Sequence, residues 1–276
     1  MSLWYAQDYL DHYQMSLEVK ESLFMGKSEF QEIMVIETYL YGKALLLDGI
    51  VQTTEKDEFM YHEMLVHPAM VTCLSPSKVL IVGGGDGGAS REVLKHPVDK
   101  VVLVDIDQQV IEICQKFFPQ LGKWDDSRLE VIIGDAATFL TTTQDTFDVI
   151  IMDSTDPLPA HVAEPLFTQD FFDLAYERLT PGGVLVSQME PPFFQPERIA
   201  ELWKRLKNFP LVHLYWGLVP TYPGGVWNYV VASKKNDPTL PRKKLPFTTR
   251  YYSDSIHRAA FVLPPFLQVL VEKANR

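Results

Sequence analysis

From Ser77 to about Gln188 the chain repeats one pattern: a short unbroken apolar run, a polar or glycine-rich turn, and a stretch with helical spacing. The apolar runs are "KVLIV", "KVVLVDID", "LEVIIGD", "FDVIIMD" and "GGVLVSQ"; between them lie "ASREVLKH", "QQVIEICQKFF", "AATFLTT" and "TQDFFDLAYERL". Runs of Val, Ile and Leu without polar alternation belong to strands covered on both faces. Strands of that kind separated by helices build a parallel sheet with right-handed crossovers. The expected fold class is therefore α/β, a doubly wound, Rossmann-like, mostly parallel sheet. "VHLYWGLVP" and "GVWNYVVAS" flank the turn-rich "TYPGG" and are expected as an antiparallel pair at one edge.

Ahead of this region the residues alternate as half-buried strands do. "EFQEIMVIET" sets Phe30, Ile33 and Val35 against charged neighbours, and "GKALLLDGIVQTT" carries an Asp48-Gly49 turn signal. Residues 1–55 are expected to form a small β-hairpin domain and 56–276 the Rossmann-like catalytic domain. So small a strand domain needs a neighbour or another subunit to pack on. "EKDEFMYHEMLVHPAMVTC" places Phe59, Met60, Met64, Leu65 and Met70 near helical spacing and reads as the connecting helix.

Charge and cysteine usage exclude some classes. Twenty-five Lys and Arg against 36 Asp and Glu give a formal charge of −11, the wrong sign for phosphate contacts, so no nucleic-acid partner is expected. Cys73 and Cys114 lie in apolar helical patterns without metal-ligand spacing and read as buried thiols in a reducing compartment. The acidic start "MSLWYAQDYLDHYQMSLEVK" is not a signal peptide, and every apolar run falls short of the roughly 20 residues of a membrane helix. No membrane partner and a cytoplasmic location follow as expectations.

In an open parallel sheet, ligands bind beyond the carboxyl ends of the strands, near the point where strand order reverses. Those ends offer Asp86, Asp105, Asp135, the pair Asp153 and Asp156, and finally Gln188. In "LIVGGGDGGASREV", Gly83, Gly85 and Gly88 fit G-x-G-x-x-G, and Asp105 follows at about the 20 residues typical of a ribose-binding acid. That spacing leaves a nicotinamide dinucleotide and an adenosyl-sulfonium compound both open. Asp86 favours the second, because a carboxylate in that turn would face a pyrophosphate with like charge. Asp135 can accept the amine of adenine, or simply cap the helix "AATFL". In "DVIIMDSTDPLP", Asp156 before Pro157 has a turn-forming role available. Asp153, at a buried strand terminus, must find a positive or hydrogen-bonding partner.

Together, "DGIVQTTEKDEFMYHEML", "GGGDGGASREVLKH", "MDSTDP", "PTYPGG" and "TRYYSDSIHRAAFVLPPF" make the chain resemble the polyamine aminopropyltransferases, the family of spermidine synthase, over nearly its whole length. The resemblance implies a sheet of the S-adenosylmethionine-dependent transferase type. It implies transfer of an aminopropyl group from decarboxylated S-adenosylmethionine, as co-substrate, to an amine, with methylthioadenosine released. Neither a metal nor a tightly bound cofactor is implied. Residue by residue, Asp153 becomes the base, helped by Tyr61 and reached by Tyr222, while Gln52 and Asp156 hold the amine and Gln188 lies beside its channel. Gln31 and Asp105 are implied at the ribose, Asp135 and Ala136 at adenine, Gly83 and Gly85 along the nucleoside, and Asp86 at the ammonium of the donor. His62 is expected as a polar residue lining the site without a catalytic role, Trp4 as a wall at the far end of the amine channel, and His257 as structural. Relatives imply a homodimer or homotetramer.

The acceptor expected is putrescine, giving spermidine; agmatine, cadaverine or spermidine are the alternatives. "LPAHVAEPLF" lacks a glycine common in the family and reads about two residues longer, bringing in His161 and Glu164, and a lid depends on its length. A methyltransferase using intact S-adenosylmethionine leaves Asp86 unexplained, a nicotinamide dehydrogenase leaves "DSTDP" unexplained, and an inactive binding protein leaves the full set of acids unexplained.

Overall fold

The computed structural model describes residues 2–9, 12–156 and 163–274. Strands β1 (Leu3–Asp8), β2 (Gln14–Lys27), β3 (Glu32–Thr38), β4 (Gly42–Leu47) and β5 (Ile50–Thr54) pair antiparallel in chain order. Asp48 and Gly49, at φ 47° and 78°, make the tight turn between β4 and β5. Two successive positive φ values match the twist of a two-residue hairpin. Alternation begins at Ile33 and not at Phe30, which precedes β3 and is half-exposed.

The rest of the chain runs α1 (Glu58–Thr72), β6 (Lys78–Gly83), α2 (Gly88–Leu94), β7 (Lys100–Asp105), α3 (Gln108–Phe117), β8 (Leu129–Ile133), α4 (Ala136–Thr142), β9 (Phe147–Asp153), α5 (Gln169–Arg178), β10 (Leu179–Gln188), α6 (Pro196–Arg205), β11 (Leu211–Leu218), β12 (Val226–Ser233), α7 (Asp254–Ala260) and α8 (Pro265–Ala274). One seven-stranded sheet results, in the order β11-β12-β10-β9-β6-β7-β8. It is parallel from β10 to β8, with β11 and β12 antiparallel at the edge as expected.

Apolar strands with two buried faces fill two cores. In β6, Val79 and Ile81 join the core under α1 and α2, while Leu80 and Val82 face the opposite core under α5 and α6. Each such fully buried side chain contributes about 1.5–3 kcal/mol. One run departs from the expectation: β8 ends the sheet, so Val131 and Ile133 remain 38% and 45% exposed. A third core, with Ile33, Val35, Leu45 and Leu47 against Val110, Cys114 and Phe118, docks the five-stranded sheet on α3. Cys73 and Cys114 are buried free thiols. Among the described residues no helix is long and apolar enough to cross a membrane.

Helix α1 is not one-sided, as its spacing suggested; all its residues except Phe59 and Met60 are buried. It runs between the sheet, α2 and the segment 250–252, whose three backbone N–H groups donate to the Glu63 carboxyl at 2.8–2.9 Å. Pro68 stands inside this helix and has no N–H for the carbonyl of Met64, four residues earlier. The hydroxyl of Tyr215, from β11, donates to that carbonyl at 2.8 Å. Tyr215→Phe should therefore lower stability by about 1–3 kcal/mol, the cost of an orphaned buried acceptor. In a Pro68→Ala background, where residue 68 regains its N–H, the same change should cost clearly less. A double-mutant cycle by urea unfolding checks this, and strict additivity would contradict it.

Candidate active site

Strand order reverses between β6 and β9: from β6 the chain builds outward through β7 and β8, then returns to β6's other side. Register places Gly83 beside Asp153, and the Gly84 N–H donates to the Asp153 carbonyl at 2.8 Å. Gly83 has φ +78°, and a Cβ there would lie 2.4 Å from that same carbonyl oxygen. Only glycine lets the two strand ends close, so the glycine turn and the acid of "MDSTDP" form one structure.

A cavity opens at this point. Gln31, Gln52, Tyr61, Gly83, Gly85, Asp86, Asp105, Asp135, Ala136, Asp153, Asp156, Gln188 and Tyr222 all line it, together with apolar Leu47, Val51, Leu166 and Trp227. Two expected residues lie elsewhere. His62 is buried behind Asp86, its Nε2 3.3 Å from Asp86 Oδ2, and is not in the lining. Trp4 is 56% exposed and borders a separate hollow between the five-stranded sheet and the 220–225 turn. The loop 157–162, with His161, lies outside the described residues; Glu164 is exposed and not in the lining.

Each acid is held differently. Asp86 Oδ1 accepts the Gly88 N–H at 2.8 Å; burial pushes its carboxyl up, but the charge and hydrogen bond of His62 outweigh this and hold it below the usual range. Asp105 accepts N–H bonds from Gly85 and Asp107, both at 2.9 Å, yet burial raises it to about 6. Asp153 Oδ1 accepts the Tyr61 hydroxyl at 2.8 Å; burial, then the charge of Asp86, raises it to about 6 against the opposing pull of His62. Neighbouring carboxylates thus divide into Asp86, held low, and Asp105 and Asp153, both raised by burial to about 6. Asp135 caps α4 through the Thr138 N–H at 2.6 Å, and it lines the cavity as well.

Other partners differ from expectation or complete it. The Tyr222 hydroxyl donates to the Gln52 carbonyl at 2.6 Å and not to Asp153. Its ring, 5.5 Å from that of Tyr61, closes one wall. Gln31 donates to Asp107 at 2.9 Å, an acid that also caps α3. Gln188 Nε2 donates to Asp156 at 3.1 Å. Gln188 Oε1 and Ser154 Oγ are buried without a hydrogen-bond partner among the described residues.

Glu190 was missed in the sequence, although "VLVSQME" carries it two residues past Gln188. It is 1% exposed; its Oε1 accepts Arg198 at 2.9 Å while Oε2 has no hydrogen bond among the described residues. Burial, then the Asp156 charge, pushes it up to about 8, against the pull of Arg198. His62, Asp86 and Asp153 converge within 4.8 Å, and both His62 nitrogens already face carboxyl oxygens, Glu58 at 2.7 Å and Asp86 at 3.3 Å.

Two family models match the chain: the spermine/spermidine synthase domain over residues 58–244 and the spermidine synthase tetramerisation domain over residues 3–55. Polyamine aminopropyltransferase from Thermoanaerobacter sp. (strain X514) is 44% identical, covering 99% of this chain and 100% of its own. The enzyme of the same name from Clostridium tetani (strain Massachusetts / E88) is 44% identical, covering 98% of each. Among solved structures, a spermidine synthase in complex with the transition state analogue AdoDATO superposes with a TM-score of 0.94 at 39% identity, covering 98% of this chain and 95% of its own. Spermidine synthase from Thermotoga maritima gives 0.92 at 40% identity, with 98% and 94% covered.

A Cβ on Gly88 would lie 2.2 Å from the His62 ring, so the last glycine of the turn exists to admit that ring. Gly88→Ala should destabilise the protein by about 1–3 kcal/mol through overpacking. Denaturant unfolding measures it, and an unchanged midpoint would refute the contact.

Proposed function

The chain belongs to the spermine/spermidine synthase family and is a polyamine aminopropyltransferase using decarboxylated S-adenosylmethionine, and from that premise we propose that putrescine is the acceptor and that Asp86 and Asp153 divide binding from catalysis. The observation that carries this division is their opposite electrostatic fate within one cavity.

Asp86, ionised, takes the primary ammonium of the donor. Ordinary S-adenosylmethionine would bring a carboxylate to the same place. Two like charges at 4 Å and an effective dielectric near 20 repel by about 4 kcal/mol, roughly a thousandfold in affinity. Asp105 and Gln31 receive the ribose hydroxyls, and Asp135 and Ala136 meet adenine; both acids reach the cavity from the ends of β7 and β8.

Attack requires a neutral amine. An alkyl ammonium of pKa about 10.4 must lose its proton at a cost of roughly 4.6 kcal/mol at pH 7. Apposition to the sulfonium offsets about 4 kcal/mol of this by like-charge repulsion. Asp153, raised to about 6, then accepts the proton, with the Tyr61 hydroxyl fixing its orientation. The nitrogen forms a bond to the carbon beside sulfur, the carbon–sulfur bond breaks with its electron pair going to sulfur, and neutral methylthioadenosine leaves. Gln52, Tyr222 and Asp156 hold the amine.

A diamine is supported by acids at both ends of the amine path. Beside Asp156, the cavity-lining Gln188 has its Oε1 buried without a hydrogen-bond partner among the described residues, an acceptor for a distal ammonium. Assembly is through the N-terminal sheet, whose Leu3, Trp4, Met25, Tyr39 and Leu40 are all more than half exposed, and the tetramer is the state we favour. Buried unpaired thiols fit the cytoplasm.

Incubation with decarboxylated S-adenosylmethionine and a panel of amines should give spermidine from putrescine faster than any product from agmatine, cadaverine or spermidine. Preference for another amine would overturn the acceptor.

Asp153→Asn should lower kcat by about 10²–10⁴ while the affinity for methylthioadenosine changes little. In the parent enzyme kcat/KM should rise with pH through about 6, because the base works only when deprotonated and its value is raised. Rates flat down to about pH 4 would show that no base with a raised pKa limits the reaction and would overturn this account of Asp153.

A further inference from the structure

Behind Asp86 a line of alternating charges leads out of the cavity into the protein. The Arg91 guanidinium, from α2, straddles Glu58 at the start of α1, with Nη1 3.2 Å from Oε1 and Nη2 2.8 Å from Oε2. Glu58 Oε2 lies 2.7 Å from His62 Nδ1, one helical turn on. His62 Nε2 lies 3.3 Å from Asp86 Oδ2, and the other Asp86 oxygen is held by the Gly88 N–H. Neither Glu58 nor Arg91 lines the cavity, and neither has a part in the chemistry assigned above.

Both imidazole nitrogens face carboxyl oxygens, Nδ1 at 2.7 Å and Nε2 at 3.3 Å. With Glu58 and Asp86 both ionised, a neutral ring would turn a lone pair on one of them, and only the doubly protonated ring offers an N–H to each. The charged groups around it come from four elements: Glu58 on its own helix, Arg91 behind it from α2, Asp86 from the glycine turn, and Asp153 from the end of β9, within 4.8 Å. Burial opposes the charged ring, but Asp86 and then Glu58 outweigh it and raise its pKa well above the ordinary histidine value. Glu58 is likewise pushed up by burial and brought below the carboxylate range by His62 and Arg91.

We propose that Glu58 and Arg91 are positioning residues for the aminopropyl donor: they hold a doubly protonated His62, which locks the Asp86 carboxylate, ionised, in the orientation that meets the donor's ammonium. The proposal rests on the assignment of Asp86 to that ammonium. Without Glu58 the imidazole loses one of the two carboxylates that hold its second proton; where that proton is lost, a lone pair can face Asp86 and the carboxylate is released from its aim. Arg91 acts one step further out, holding Glu58 square to Nδ1. Methylthioadenosine lacks the aminopropyl ammonium, so its binding reports the nucleoside cavity alone.

Calorimetric affinities for decarboxylated S-adenosylmethionine and for methylthioadenosine, measured across neutral pH, test the assignment in the parent, Glu58→Gln, Arg91→Met, Arg91→Lys and Asp86→Asn. Glu58→Gln should weaken the donor by about tenfold or more, a lost charge-assisted alignment. It should also make donor binding weaken at lower pH than in the parent as pH rises, because the His62 proton is held less strongly, while methylthioadenosine binds as in the parent. Arg91→Met should act in the same direction, and Arg91→Lys should restore part of the loss. Equal losses for both ligands would make the line merely structural and overturn the proposal. So would ¹⁵N shifts showing a singly protonated His62 at pH 7 in the unaltered enzyme, a reading that needs no variant to fold. If Asp86→Asn leaves the preference for the donor over methylthioadenosine unchanged, the assignment of Asp86 fails first. If Asp86→Asn abolishes that preference and Glu58→Gln does not touch it, the positioning role alone fails.

Discussion

The site depends on how several acids share one buried cavity without all becoming neutral. Asp86, Asp105 and Asp153 crowd together where the sheet reverses order, and burial alone would push every one of them up. One cation, His62, breaks the symmetry. Coulomb attraction falls with distance and rises in low dielectric, so a buried cation favours the carboxylate it touches far more than those beyond it. Asp86 keeps its charge, and the others are left near the point where a proton comes and goes. A cavity lined by several carboxylates thus has a cation of its own just outside the lining, on the far side of Asp86.

Much of this was legible in the sequence because periodicity and turn chemistry are local. Unbroken Val/Ile/Leu runs between helical stretches gave the parallel order, and the ends of those runs located the acids before any contact was known. The turn at Asp48-Gly49 and the antiparallel edge pair around "TYPGG" followed from residue type in the same way. Edge position was less accessible: nothing in "LEVII" says that β8 lacks a neighbour on one side, so its half-exposed face came as a difference.

Orientation was not legible. Whether a histidine beside Tyr61 looks into a cavity or away from it depends on where another helix begins, and here Gly88 at the start of α2 accepts the ring from behind. Tyr222 turns its hydroxyl to a backbone carbonyl of β5 because the 220–225 turn brings it alongside Gln52, a meeting of residues 170 positions apart. Glu190 escaped notice for a related reason. An acid after a strand reads as a solvated end unless the fold is known to bury it, and here Glu190 is buried with Arg198 hydrogen-bonded to it.

The bond from Tyr215 to the carbonyl left vacant by Pro68 has a consequence for how the chain reaches its native state. Helix α1 borrows from β11, about 150 residues later, what other helices obtain from their own next turn. Cut from the remainder, the segment would be a poor helix former in water, and during synthesis it must wait for the distant strand before its backbone is complete. The covering helix thus has its hydrogen bonding completed by the sheet it covers.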